Sequence, residues 1–173
     1  MITGTPLFTT EQIQSRVLEL ANKISRDYIG KELLAVGILK GSFMFFADLV
    51  RAIEVPVTVD FLVASSYLKT TSTGEIKIYY DIREDVTKKD VLLIDDIVDT
   101  GISLNYIRER VLQKRPSSLR ICAFLDKTGR RAVDVPVDYV GFKIPDKFVV
   151  GYGLDYDNKY RNLPYIATFK KET

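Results

Sequence analysis

Histidine is absent from this sequence of 173 residues. The side chain that most often acts as a general base near neutral pH is therefore missing, and with it the commonest nitrogen ligand of zinc. Nucleophilic catalysis of the Ser-His and Cys-His kinds is excluded as well. Acid-base work falls to carboxylates, lysine or tyrosine, and any metal must be held by oxygen, which points to magnesium. Cysteine is almost absent: Cys122 is the single one, so no internal disulfide can form. It sits in the apolar run from Ile121 to Leu125 and reads as a small buried hydrophobe. Charge of one sign is also lacking. The formal net charge is +2, so no strong field draws the whole molecule to nucleic acid or membrane, and any basic site must be local. No apolar run approaches the roughly 18 residues of a membrane span. Met1 to Thr10 lacks the basic and apolar regions of a signal peptide. The expected setting is a reducing cytoplasm, with neither membrane nor nucleic acid as a partner.

What is present suits one domain over residues 1–173. The hydrophobic share of 46% and charged share of 28% are those of an ordinary globular chain with a proper core. Thr9 and Gln12 fit a capping box. Ile13, Val17, Leu20, Ile24 and Tyr28 follow on one helical face, and Gly30 ends that helix. Leu33 to Leu39 is continuously apolar, as in a buried strand. Lys40-Gly41-Ser42 breaks it, and Phe43, Phe46, Ala47 and Val50 resume helical spacing. Strands are expected over Val55 to Ala64, Glu75 to Tyr80, Val91 to Ile94 and Leu119 to Leu125, with a late one near Tyr165 to Phe169. Ser65 to Gly74 reads as a polar loop, and Leu104, Ile107 and Val111 mark a further helix. Alternating strands and helices imply an α/β fold with a mostly parallel central sheet and helices on both faces. Ligands of such sheets lie beyond the carboxyl ends of the strands. That makes three chain breaks site candidates: Lys40 to Ser42, Asp95 to Ser103, and Asp126 to Lys127.

The richest of these is the stretch VLLIDDIVDTGIS, Val91 to Ser103. An apolar strand delivers two adjacent carboxylates, Asp95 and Asp96. A tight turn, Asp99-Thr100-Gly101, then opens a helix whose N-terminal N–H groups and dipole favour an anion. Gly101 permits close approach, and Thr100 and Ser103 add hydroxyls, so the turn makes a cradle for a phosphate. The two acids would repel that phosphate. They suit sugar hydroxyls or magnesium instead. In outline this is a ribose-phosphate site. Neither a Walker lysine nor a G-x-G-x-x-G pattern is present, which disfavours nucleotide hydrolysis and dinucleotide binding. The plainer reading is that Asp95 and Asp96 end a strand and Asp99 caps a helix.

This segment resembles the phosphoribosyl pyrophosphate motif of type I phosphoribosyltransferases, and the resemblance runs over nearly the whole chain to the hypoxanthine-guanine branch of that family. It implies the family fold, with a small hood built by the N-terminal segment and the tail after about residue 143. Leu39-Lys40-Gly41-Ser42 is similar to the family's first pyrophosphate loop, with a cis peptide implied between Leu39 and Lys40. Ser66-Tyr67 and Ser72-Thr73-Gly74-Glu75 resemble its lid. The position of Lys127 is implied to bond a purine 6-oxo group. In the stretch Ile144 to Asp155, Phe148 matches the residue that stacks on the purine and Val149 the one that bonds it through its backbone. Asp155 matches a magnesium ligand, with Asp95 and Asp96 holding the ribose or its metal. Arg161 matches a pyrophosphate contact beside Lys40 and Gly41, Asp99 the general base, and Thr100, Gly101, Ile102 and Ser103 the 5′-phosphate loop. One departure is that Asp95 stands where the family often has Glu, with a shorter reach.

The resemblance implies purine salvage: transfer of the phosphoribosyl group from phosphoribosyl pyrophosphate to hypoxanthine or guanine, with Mg2+ as cofactor, in a homodimer or homotetramer. The alternatives are a relative that uses xanthine, adenine or a pyrimidine, and a regulator of the same fold that binds nucleotides and RNA. A regulator would need a basic RNA-binding face, against which the near-neutral charge speaks.

Overall fold

A computed structural model of the chain describes residues 1–67 and 75–170, with the side chains of 66, 67 and 75 left aside. The elements in order are β1 (Ile2–Phe8), α1 (Thr10–Asp27), β2 (Leu33–Leu39), α2 (Phe43–Ala52), β3 (Val57–Tyr67), β4 (Glu75–Tyr80), β5 (Asp90–Val98), α3 (Ile102–Gln113), β6 (Ser118–Asp126), β7 (Tyr139–Lys143), β8 (Val149–Val150) and β9 (Ile166–Phe169). Six strands form the central sheet in the order β4-β3-β2-β5-β6-β7. Every neighbouring pair is parallel except β3 with β4. This is the α/β architecture expected of alternating elements, with its one antiparallel strand at an edge.

The continuous apolar runs of the inner strands follow from burial on both faces. On β2, Leu33 and Ala35 join one core and Leu34, Val36 and Ile38 the other. Helices α1 and α2 cover the first face, and α3 covers the second through Leu104, Ile107 and Val111. Helix α1 begins at the expected capping box: Thr9 and Gln12 exchange side-chain and backbone hydrogen bonds. Cys122 is fully buried in the first core, and that burial pushes its thiol far above the ordinary range, as for an inert hydrophobe.

Several boundaries differ from expectation. Helix α2 buries Phe45, Phe46 and Leu49, while Phe43 and Ala47 are exposed. Three phenylalanines in four positions leave its face ambiguous, and packing of Phe45 on Phe124 and of Phe46 on Phe61 decides it. Strand β3 runs on to Tyr67, because pairing with β4 places Ser66 opposite Ile76 and Tyr67 opposite Glu75. Most of the predicted polar loop, residues 68–74, lies outside the described residues. The first residues form β1, which pairs antiparallel with β9 in a second sheet ordered β1-β9-β8. Local alternation does not announce β1, since its partner is the far end of the chain.

One buried charge organises the turn that leads into β5. Asp60 on β3 is buried and accepts hydrogen bonds from the N–H groups of Phe61 (2.7 Å), Arg83 (2.7 Å) and Glu84 (2.8 Å). Removing the acceptor strands those donors, each costly to leave unmade. Asp60→Ala is expected to destabilise the fold by about 2–3 kcal/mol, measured by urea denaturation; a loss below about 0.5 kcal/mol would contradict this role.

Candidate active site

The sheet changes direction between β2 and β5. From β2 the chain moves outward to β3 and β4, then returns to β5 on the other side of β2. The loops leaving β2 and β5 therefore part from each other at their carboxyl ends, where α/β sheets bind ligands. Both acids stand there. Strand β5 continues four residues beyond the expected end at Ile94, with Asp95 opposite Ala123 and Val98 opposite Asp126. Pairing with β6 overrides the poor strand preference of aspartate. Asp95 and Asp96 thus lie within the strand rather than beyond it, both half-buried. Each accepts a hydrogen bond from the next N–H, that of Asp96 at 3.0 Å and that of Ile97 at 2.9 Å. Burial first, and then the charge of Asp96, hold the Asp95 carboxyl well above the usual carboxylate range. Asp96 is raised too, chiefly by burial, with the positive charge of Arg161 opposing.

The Lys40 loop closes onto these acids. The Leu39–Lys40 peptide is cis, as the resemblance implied. Only a residue without a side chain fits next: a Cβ on Gly41 would lie 1.6 Å from Asp96 Oδ2. The tail packs on the other side, where a Cβ on Gly153 would lie 2.0 Å from the Gly41 carbonyl oxygen. Arg161 donates to the Gly153 carbonyl at 2.7 Å and pairs with Asp155 at 2.9 Å. Lys40, Gly41, Ser65, Asp95, Asp96 and Ser103 line one cleft of about 170 Å³. Lys40 is exposed at its mouth.

Helix α3 opens beside this cleft. Gly101 is its N-cap, with φ of +82° in the left-handed region that favours glycine. The Ile102 N–H points to Thr100 Oγ1 at 3.4 Å. N–H groups of a first helical turn have no intrahelical acceptor, so residues 100–103 present donors and the positive end of the dipole.

On the far side of the turn, Lys127 is buried with its Nζ 3.8 Å from Asp99 Oδ2 and 3.7 Å from Asp146 Oδ1. Arg130 Nε lies 3.1 Å from Asp99 Oδ1, an ion-pair contact without hydrogen-bond alignment, and its Nη1 lies 3.3 Å from Asp146. Phe148 is 40% exposed, which is more than a core ring would be. It meets Tyr156 edge-on with centroids 5.8 Å apart. Val149 is buried in β8. Ser66 and Tyr67 fall at the end of β3, while Ser72, Thr73 and Gly74 lie outside the described residues.

Three neighbours of the site were not singled out from the sequence: Arg130, Arg131 and Asp146, whereas Asp126 falls in one of the three expected chain breaks. Arg131 bonds Asp126 and donates to the Asp99 carbonyl at 2.7 Å. Nothing in the local pattern distinguishes such residues from solvated charges. Their partners lie on other segments.

A parallel sheet whose switch point joins a helix-capped anion cradle to paired acids defines a protein that binds a phosphorylated sugar. The chain belongs to the phosphoribosyl transferase family, on its hypoxanthine and hypoxanthine-guanine branch: residues 6–157 match the model of the phosphoribosyl transferase domain. It is 51% identical over 159 residues to a hypoxanthine phosphoribosyltransferase of Salmonella typhimurium, covering 90% of this chain and 89% of that one. It is 50% identical over 167 residues to a hypoxanthine-guanine phosphoribosyltransferase of Staphylococcus aureus, covering 96% and 93%. A crystal structure of a hypoxanthine-guanine phosphoribosyltransferase from Bacillus anthracis superposes with a TM-score of 0.94 at 46% identity, covering 98% of this chain and all of that one.

The raised carboxyls have a consequence for stability. An acid that binds its proton more tightly folded than unfolded stabilises the fold most below the unfolded value of about 4, and that contribution is lost as pH rises through the raised folded range. Asp95→Asn removes the repulsion. It is expected to be more stable than the parent at pH 8 by on the order of 1 kcal/mol, with the advantage gone near pH 4. Urea denaturation at both pH values checks this, and an equal difference at the two would contradict it.

Proposed function

We propose that this protein transfers the phosphoribosyl group of phosphoribosyl pyrophosphate to hypoxanthine or guanine, releasing the nucleoside monophosphate and pyrophosphate. The observation that carries the choice of base is the pairing of Lys127 with Asp99. A donor and an acceptor stand 3.8 Å apart on one side of the site. A 6-oxopurine protonated at N7 offers the complementary pair on one edge, an acceptor at O6 and a donor at N7. Adenine would present its 6-amino group to the lysine, donor against donor, and a site built this way rejects the mismatched base strongly.

The remaining roles follow the order of groups along the substrate. N–H groups from Thr100, Gly101, Ile102 and Ser103 would hold the 5′-phosphate. Asp95 and Asp96 would accept hydrogen bonds from the ribose hydroxyls. Lys40, the Gly41 backbone and Arg161 would bind the pyrophosphate, and Phe148 would stack on the purine while the Val149 backbone bonds its edge. As the glycosidic bond to pyrophosphate breaks, the anomeric carbon gains cationic character. The purine nitrogen attacks it, and Asp99 takes the N7 proton, the part that histidine plays elsewhere. Much of the rate enhancement comes from holding two substrates in line.

Magnesium suits the donors present. Asp95 and Asp96 are hard oxygen ligands whose mutual repulsion a cation would relieve. They would hold it together with Asp155, whose carboxylate is now paired with Arg161. Among the described residues no cluster of three or more acidic side chains forms a metal site alone, so the diphosphate would supply the other oxygens. Bound magnesium supplies counter-charge to the leaving group. The lid role of Ser66 and Tyr67, the hood formed by the second sheet, and a homodimer or homotetramer belong to the same proposal. Phosphoribosyl pyrophosphate carries several negative charges and does not cross membranes unaided, so the expected compartment is the cytoplasm.

Nucleotide formation from phosphoribosyl pyrophosphate and magnesium with hypoxanthine, guanine, xanthine, adenine or uracil tests the reading. Turnover of hypoxanthine or guanine, with adenine slower by at least about 100-fold, is expected. Equal use of adenine would overturn the role of Lys127. Asp99→Asn should lower kcat by roughly 100-fold or more while leaving phosphoribosyl pyrophosphate affinity within about 3-fold; near-parental kcat would remove Asp99 from the base role.

A further inference from the structure

Arg131 follows the Lys127 turn, yet its guanidinium reaches back across the site. Its side chain is 19% exposed and that of its partner Asp126 only 8%. One guanidinium nitrogen bonds the Asp126 carboxylate, and another donates to the main-chain carbonyl of Asp99 at 2.7 Å. The segment around it grips the same turn. Lys127 N–H donates to the Val98 carbonyl at 3.0 Å, and the N–H groups of Ala132 and Val133 donate to that of Thr100 at 2.9 and 3.1 Å. The fit is close, since a Cβ on Gly101 would lie 2.5 Å from the Val133 carbonyl oxygen. Residues 98–101 therefore hang from residues 126–133; Arg131 grips their main chain, while Lys127 and Arg130 meet the Asp99 carboxylate.

We propose that Arg131 is a positioning residue for the transfer reaction, braced by Asp126. By fixing the Asp99 carbonyl it sets where the Asp99 carboxylate stands against Lys127 and holds in place the helix-start turn of residues 100–103 that would cradle the phosphate. Base recognition and 5′-phosphate binding are thereby built on one rigid unit. The guanidinium is the group suited to this, because its planar fork serves two acceptors at fixed angles, whereas a lysine ammonium is a point donor on a flexible stem. Its neighbour Arg130 meets the Asp99 carboxylate from a side chain 46% exposed, and its own brace, Asp146, is 59% exposed where Asp126 is buried. The inference rests on the function proposed above.

The test compares the parent with Arg131→Lys and with Arg131→Met combined with Asp126→Asn. The double variant leaves no unpaired buried charge, the usual reason that breaking such a pair unfolds a protein. Initial rates with phosphoribosyl pyrophosphate and hypoxanthine are measured beside melting temperatures. Both variants are expected to raise KM for phosphoribosyl pyrophosphate and lower kcat/KM by roughly 10- to 100-fold, including where the melting temperature is parental. A purely structural role would lower the melting temperature and leave KM unchanged in the folded fraction. Parental KM and kcat in either folded variant would overturn the proposal. Calorimetric binding of ribose 5-phosphate reads the cradle without turnover. An inactive parent would thus remove the transferase reading, while weaker sugar-phosphate binding in both variants would still sustain the role of Arg131.

Discussion

The parallel pairing of β5 between β2 and β6 is the constraint on which the site depends. Its register sets Val36 beside Leu93 on one side and Asp95 beside Ala123 on the other. Side chains alternate along a strand, so a slip of one residue would exchange the faces of Asp95 and Asp96 and turn the two cores inside out. Register is enforced by the apolar residues on both faces of the sheet, not by the acids themselves. The hydrophobic interior thereby holds two carboxylates where neither would choose to lie.

Those carboxylates are set against burial and against each other, while beyond the turn that follows β5 charges are matched. Asp99, Lys127, Arg130 and Asp146 form a mixed cluster, and Arg161 lies between Asp155 and the Gly153 carbonyl. On the proposed function, sugar hydroxyls or a cation would meet the two raised acids, and a neutral base would meet the mixed cluster. A site that is unfavourable when empty keeps its binding energy for the ligand.

The second constraint is closure of the tail. Residues 148–161 leave the central sheet, pair with the first strand of the chain through β9, and return over the Lys40 loop. Tyr152 donates its hydroxyl to Asp48 on α2 at 2.6 Å, and Gly153 backs onto Gly41. Without a side chain at either glycine, two loops that are remote in sequence touch through backbone alone. In a chain without histidine, the proposed acid-base and anion-binding groups are carboxylates, two kinds of cation and main-chain amides.

The sequence by itself determined the elements whose stability is local. The Thr9–Gln12 box, the α1 face, the apolar run of β2 and the Leu104, Ile107 and Val111 stripe were readable because capping and periodicity depend on near neighbours. The strand, acids, turn and helix start of the proposed anion cradle were readable for the same reason, since they lie within thirteen consecutive residues from Val91 to Ser103. Tertiary structure decided what depends on distant partners. It extended β5 through both acids by pairing with β6, chose the buried face of α2 by contact with Phe124 and Phe61, and made a strand of the first residues by offering β9. It also made Arg131 a brace and Arg130 a rim charge, although they are adjacent and chemically identical. Local pattern records which residues can form an element, whereas the long-range partner determines where its charges come to rest.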